Sequence, residues 1–253
     1  MKTHRLTDNR RPSAVPRHPL YRISCEERFF QVESPSLQDL LTQKYWARGN
    51  FYEGRLLQFI RSQQLVGTYV DCGANLGNHS IFFANFCQPT RLLSVEAVPA
   101  IYDIMVRNVR RNLPDHVVFE PANWALHSQS GWVADFDPPN PHNLGGTTMR
   151  IRQRGVSDTQ TGLKTNSVHT LPLDELIAPD EHVAVIKMDL EGGEPMALVG
   201  AVGTIMRCRP LLIMEANRPG SLATLDELVA NLGLGYQRLS ETPKKLTYLW
   251  QVP

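Results

Sequence analysis

From residue 67 onward the chain alternates between two hydrophobic periods. Short apolar runs of strand length are followed by stretches in which apolar residues return every three or four positions. Residues 68–72, 91–95 and 116–119 read as strands. Between them, 77–86 reads as a helix with Ile81, Phe82 and Phe86 inward, and 100–113 as a helix with Ile101, Met105, Val109 and Leu113 on one stripe. The pattern resumes with a short helix at 173–177, a buried strand at 183–189, a helix at 194–202 and a strand at 210–215. A helix at 222–232 is stopped by Gly233, and 236–239 with 246–251 form a closing strand pair around Glu241-Thr242-Pro243. Residues 121–126 read as loop and 132–136 as strand.

Ahead of this part, residues 1–20 are polar and basic with three prolines, which predicts a disordered leader. Residues 36–45 and 52–63 read as helices. In the second, Tyr52, Leu56, Phe59 and Ile60 share a face, and Gly67 ends it. The expected organisation is therefore a leader (1–20), a helical extension (21–66) and one main domain (67–253).

Repeated strand–helix–strand units predict a parallel sheet with right-handed crossovers and helices on both faces. The final pair follows a turn short enough only for antiparallel strands. The expected fold is α/β, Rossmann-like and mostly parallel with one antiparallel strand near its end. Too few residues precede 132–136 for a crossover helix, so that segment is not expected to be the fourth parallel strand.

Composition narrows the function classes. The chain has 253 residues, 42% hydrophobic and 20% charged, which suits one α/β domain. A net charge of +1 offers no argument for a nucleic-acid partner. No apolar run approaches the ~20 residues of a membrane span. Basic residues near the start lack a following hydrophobic stretch, which argues against a secretory signal. Cys25, Cys72, Cys87 and Cys208 show neither paired nor zinc spacing, so reduced thiols and a cytoplasmic location are expected.

The chemistry concentrates at strand ends. Asp71-Cys72-Gly73-Ala74-Asn75-Leu76-Gly77-Asn78 joins the first strand to a helix, and Glu96-Ala97 ends the next strand about 25 residues on. Such a turn followed by an acid grips a nucleoside-bearing cofactor. The spacing D-x-G-x-x-x-G lacks the second close glycine that admits a pyrophosphate. This points away from NAD and its dehydrogenases and towards S-adenosylmethionine (SAM). Gly73 lets the backbone bend, and Gly77 keeps the helix start clear of the ligand. Asp71, an acid in an apolar strand, requires a donor or cation, which the cofactor's amino group would supply; the competing reading is a helix cap. Glu96 is placed to accept from both ribose hydroxyls, and Asn123 and Trp124 to meet the adenine.

A second block, Val185-Ile186-Lys187-Met188-Asp189-Leu190-Glu191-Gly192-Gly193-Glu194, puts Lys187, Asp189 and Glu191 on one face of a buried strand. The bland alternative is a structural Lys187–Asp189 pair or an acid at a helix start. These acids leave the same sheet edge as Asp71 and Glu96, which favours a site.

Five motifs stand in the order and spacing of one family. They are Asp71-Cys72-Gly73-Ala74-Asn75-Leu76-Gly77, Glu96-Ala97-Val98-Pro99, Leu173-Asp174-Glu175-Leu176, Ile186-Lys187-Met188-Asp189-Leu190-Glu191-Gly192-Gly193-Glu194 and Arg209-Pro210-Leu211-Leu212-Ile213-Met214-Glu215. In them the chain resembles the FkbM family of SAM-dependent methyltransferases, roughly from residue 52 to 215. The resemblance implies a class I methyltransferase fold with a seven-stranded sheet, and O-methylation of hydroxyls on natural products or sugars. The chain departs from the family in carrying His79 where an aromatic is more frequent and Trp124 in the loop after the third strand.

The expected reaction is in-line displacement on the methyl of SAM by a hydroxyl of a small molecule or glycan. Asp189 or Glu191 would act as base, with Lys187 as electrostatic partner. His79 is a second base candidate, and Glu194 and Glu215 would line the acceptor site. The acids would suffice for Mg²⁺, though nothing in the spacing requires a metal. Asp137-Pro138-Pro139-Asn140 lacks the aromatic of adenine amino methyltransferases and reads as a turn. Arg107, Arg110 and Arg111 are expected on a solvated helix face. Arg150, Arg152 and Arg154 share one strand face, either to read an anionic or polyhydroxy acceptor beneath a 137–165 insertion or to guard an edge strand. The alternatives are a nucleic-acid or protein methyltransferase on this scaffold, or a non-catalytic SAM-binding module.

Overall fold

The computed structural model describes residues 17–137, 140–147, 149–153, 166–239 and 246–253. It opens with a hairpin, β1 (Leu20–Cys25) and β2 (Arg28–Glu33), followed by α1 (Leu40–Lys44), a 3-10 turn (Trp46–Arg48) and α2 (Gly54–Ser62). The alternating part begins with β3 (Val66–Cys72), α3 (Asn78–Phe86), β4 (Gln88–Val95), α4 (Pro99–Arg111) and β5 (Val118–Ala122). Next come β6 (Ala125–Leu126), β7 (Trp132–Phe136), β8 (Met149–Gln153), β9 (Ser167–Leu171), a 3-10 turn (Leu173–Glu175) and β10 (Val183–Met188). The remaining elements are α5 (Glu194–Val199), α6 (Val202–Cys208), β11 (Leu211–Glu215), α7 (Ser221–Asn231), β12 (Gln237–Arg238) and β13 (Thr247–Gln251).

The main sheet has seven strands in the order β12-β13-β11-β10-β3-β4-β5. β13 runs antiparallel to both neighbours, and the other pairings are parallel. The chain moves outward from β3 to β4 and β5, then returns to β10 on the other side of β3. That reversal opens a crevice beyond the carboxyl ends of β3 and β10. Side chains alternate between two apolar layers, as a pleated sheet covered on both faces requires. Tyr69, Leu92 and Val185 pack with Phe82, Phe83 and Met105, whereas Val70, Leu93 and Ile186 pack with Leu198, Ile205 and Leu225.

Several expectations change. The extension is not purely helical, because the β1–β2 hairpin precedes α1. It packs on α4, and this corrects the solvated reading of Arg107. Its guanidinium donates to fully buried Glu33 at 2.6 and 3.1 Å, and Arg111 lies 3.8 Å from the same carboxylate. Asn108 clips the Glu33 backbone at both its N–H and its C=O. Gly67 does not end α2, which stops at Ser62. It sits inside β3 at φ +140°, where a Cβ would come within 2.8 Å of the His182 ring. The helix expected over 194–202 is two, α5 and α6, with Gly200 between them against the His127 carbonyl. As expected, β7 is not the fourth parallel strand and lies outside the main sheet, in a four-stranded sheet of order β6-β9-β7-β8.

Candidate functional site

A pocket occupies the crevice, with three walls. The first is the turn after β3. Gly73 has φ +73°, and a Cβ on it would lie 1.9 Å from the Asp189 carbonyl oxygen, so only glycine fits. The Gly73 and Ala74 N–H groups both donate to the Val95 carbonyl, tying the turn to the end of β4. Glu96 completes the tie. Its carboxylate accepts from Asn75 N at 2.9 Å and Val98 N at 2.8 Å, yet still lines the pocket. Burial pushes its pKa up to about 7, although the Val98 and Asn75 N–H groups and Lys187 pull the other way. Asn75 lines the same wall, and its buried side-chain oxygen has no hydrogen-bond partner among the described residues. Ala97 and Trp124 extend the wall.

The second wall is acidic. Asp189, Glu191 and Glu215 leave the ends of β10 and β11, and each offers a carboxylate oxygen within 4.8 Å of the others. The Asn217 amide donates to Glu215 at 2.8 Å and to Glu191 at 3.3 Å. Glu191 holds a left-handed backbone, φ 52°. Burial and then the neighbouring Asp189 charge raise its pKa. Three carboxylates at this separation would suffice for a hard divalent cation.

The third wall is a roof formed by Asp39, Leu40, Leu41 and Tyr52 from the extension, together with Asn143, Leu144, Gly145, Thr147 and Met149. The 137–165 insertion, expected to cover the acceptor site, contributes Asn143, Leu144, Gly145, Thr147 and Met149 among its described residues. Asp39, Leu41, Tyr52 and Met149 were not expected at the site: the sequence placed Asp39, Leu41 and Tyr52 only within predicted helices, and Met149 only next to the arginine-bearing strand.

Other expected site residues lie behind these walls. Asp71 is fully buried, and its cation comes from within the protein: Lys187 Nζ donates to it at 3.0 Å, and Ser80 Oγ at 2.6 Å. Burial opposes the Asp71 charge, but Lys187, His79 and Ser80 outweigh it and hold its pKa below the ordinary value. Burial likewise opposes the ammonium of Lys187, and the Asp71 and Asp189 carboxylates more than compensate, raising its pKa. Lys187 thus serves Asp71 and the Gly73 carbonyl first, with Asp189 at 3.9 Å. Gly77 makes room for Val109 and Met105 of α4 and not for a ligand.

Asn78 and His79 point towards the extension. Asn78 accepts from the Trp46 indole and the Tyr52 N–H and donates to the Tyr52 carbonyl, and His79 pairs with Glu53 at 3.1 Å. They position the Tyr52 wall and do not face the pocket. Asn123 clips the Glu96 and Ala97 carbonyls at 2.7 and 3.0 Å, fixing the β4 exit from behind. Glu194 is buried at the start of α5, accepts from Leu190 N at 2.7 Å, and has its pKa raised by burial. Arg152 donates to Asp135 at 2.5 Å and Arg150 pairs with Asp137, so β8 turns its arginines away while Met149 lines the pocket. Arg154, Pro138, Pro139 and the stretch 154–165 lie outside the described residues. Asn140 caps its own turn through His142 N at 2.9 Å.

A family model described as Methyltransferase FkbM domain matches residues 71–237, well over half of the chain. Among solved structures, the chain is similar to a methyltransferase FkbM from Methylobacillus flagellatus KT, with 20% identity and a TM-score of 0.53 over 74% of this chain and 43% of that one. The chain therefore spans less than half the length of that relative. It is also similar, at 16% identity and a TM-score of 0.46, to an O-methyltransferase from Bacillus cereus in complex with SAH, over 79% of this chain and 80% of that one. No curated protein matches the chain.

Proposed function

From the premise that the chain belongs to the FkbM family of SAM-dependent methyltransferases, we propose that it methylates a hydroxyl of a neutral small molecule or glycan within the crevice pocket. One observation carries this reading. A single pocket joins the Gly73–Asn75–Glu96 turn to the Asp189–Glu191–Glu215 carboxylates. Binding of the donor and removal of an acceptor proton would then occur in one enclosed space.

The turn fits the cofactor. Gly73 lets the turn close against the Asp189 carbonyl beside the pocket, and the buried Asn75 oxygen is an acceptor with no donor among the described residues. Glu96, fixed by two N–H groups, keeps lone pairs for ribose hydroxyls, and Trp124 offers a flat face to the base. Bound SAM supplies a methyl group already activated as a sulfonium. The chain must orient the acceptor oxygen and take its proton. A positioned base contributes about 10²–10⁴-fold to such a step. Glu191 is the proposed base, because its raised pKa brings it nearer neutrality. Asp189 raises it by like charge, and Asn217 holds one of its oxygens.

Among the described residues lining the pocket none is Lys, Arg or His. That favours a neutral acceptor over the phosphate-bearing acceptor of a nucleic-acid methyltransferase. Calorimetry with SAM tests the first half of the reading, with Gly73→Ala as control. Wild-type protein that does not bind SAM would remove the proposal.

A further inference from the structure

The roof is fastened to the extension by three hydrogen bonds, the innermost of them to a buried carboxylate. Asp39 is 1% exposed and divides its two oxygens between two tasks. Oδ2 accepts from Thr42 N at 3.0 Å and Thr42 Oγ1 at 3.1 Å, capping α1. Oδ1 accepts from Leu144 N at 3.0 Å, 105 residues away. Around it, Leu40 N donates to the His142 carbonyl at 3.1 Å and Ser36 Oγ to the Pro141 carbonyl at 2.6 Å. The fastened loop lies directly on the cofactor turn, since a Cβ on Gly145 would approach Asn75 Nδ2 to 3.0 Å. The fastening residues precede position 71, where the family match begins.

We propose that Asp39 is a positioning residue that latches the 140–147 loop over the Gly73–Asn75 turn, so that retention of SAM is set by the extension. The inference rests on the reading of that turn as the SAM cradle. Its logic is thermodynamic. A roof that is part of the binding-competent state contributes to affinity in proportion to how fully that state is populated. A charged acceptor buried between two elements is a stronger tie than a neutral one.

The full-length chain provides the test, with SAM itself as the probe. Asp39→Ser keeps a helix-capping oxygen for Thr42 N but is too short to reach Leu144. Thr42→Val disturbs the same helix and leaves the Leu144 bond in place. Asp39→Ser is expected to weaken SAM binding about tenfold in calorimetry, the loss of one hydrogen bond to a charged group. It should also speed amide hydrogen exchange across 141–147. Thr42→Val is expected to lower the melting temperature while leaving the SAM dissociation constant within about twofold of wild type. If Asp39→Ser bound SAM like wild type, or if 141–147 exchanged no faster, the latch would be refuted. Equal weakening by both variants would refute it too, by showing a general loss of stability. Wild type failing to bind SAM would instead overturn the cradle reading, and the exchange measurement would still report on the Leu144 bond.

Discussion

Glu96 holds a proton that an ordinary glutamate would have lost, and the consequence can be measured. Its pKa rises from 4.5 to about 7 because burial outweighs the help of two backbone donors. A raised folded-state pKa means that the native protein binds the proton more tightly than the unfolded chain does. The stabilisation is fully present below pH 4.5, declines as the pH rises to about 7, and is gone above that. At ~1.36 kcal/mol per pKa unit, the loss is about 3 kcal/mol. Glu96→Gln removes the titration. Its single carbonyl oxygen satisfies one of the two N–H donors, at a cost of about 1 kcal/mol. Relative to wild type, the variant is therefore expected to be about equally stable at pH 5 and more stable by roughly 2 kcal/mol at pH 8. Urea unfolding of both proteins at the two pH values gives the answer. The SAM dissociation constant should show the mirror image. If ribose hydroxyls donate to the ionised carboxylate, wild-type affinity improves as the pH passes through 7, and the Gln variant stays flat. Identical pH dependence of stability in the two proteins would refute the argument.

Other outcomes follow from neighbouring contacts. Lys187→Met strands the fully buried Asp71 carboxylate and should cost ~3–5 kcal/mol in denaturant unfolding, with partial recovery in the double variant carrying Asp71→Asn. Gly73→Ala, at φ +73° with its new methyl against the Asp189 carbonyl, should lower SAM affinity by at least tenfold, a loss of ~1.4 kcal/mol or more, in calorimetry. Glu191→Gln should leave the SAM dissociation constant near wild type while reducing kcat by about 10²–10⁴-fold and flattening the acid limb of its pH profile. Arg107→Met leaves buried Glu33 without its guanidinium and should cost ~3–5 kcal/mol, read as a lower denaturation midpoint with SAM affinity little changed.

What the sequence could reveal followed the range of the interaction. The β3–α3–β4 unit is local: its hydrophobic period, its glycine turn and the acid at its exit lie within about 25 residues. Gly73, Asn75, Glu96 and the acids after β10 were legible for that reason. Asn78 and His79 stand in the same motif, yet the helical turn of α3 swings them onto Trp46, Tyr52 and Glu53, which only three-dimensional packing decides. Lys187 and Asp71 come from adjacent parallel strands in register, a pairing that sequence distance hides. The hairpin escaped notice because strands of six residues carry a weak alternation, and its partner Arg107 looked like one of a solvated set. The roof is the extreme case, held by hydrogen bonds such as that between Asp39 and Leu144, which no periodicity announces.

A pocket that both holds SAM and deprotonates a hydroxyl must separate donor binding from turnover when its carboxylates are neutralised. A labelled-methyl transfer assay over neutral polyhydroxylated acceptors, with the product analysed by mass spectrometry and the Asp189→Asn/Glu191→Gln variant alongside, tests it most directly. A methyl ether is expected from the wild type, and SAM binding without turnover from the variant. A variant that bound SAM and transferred methyl at the wild-type rate, or a wild type that methylated nitrogen alone, would contradict it.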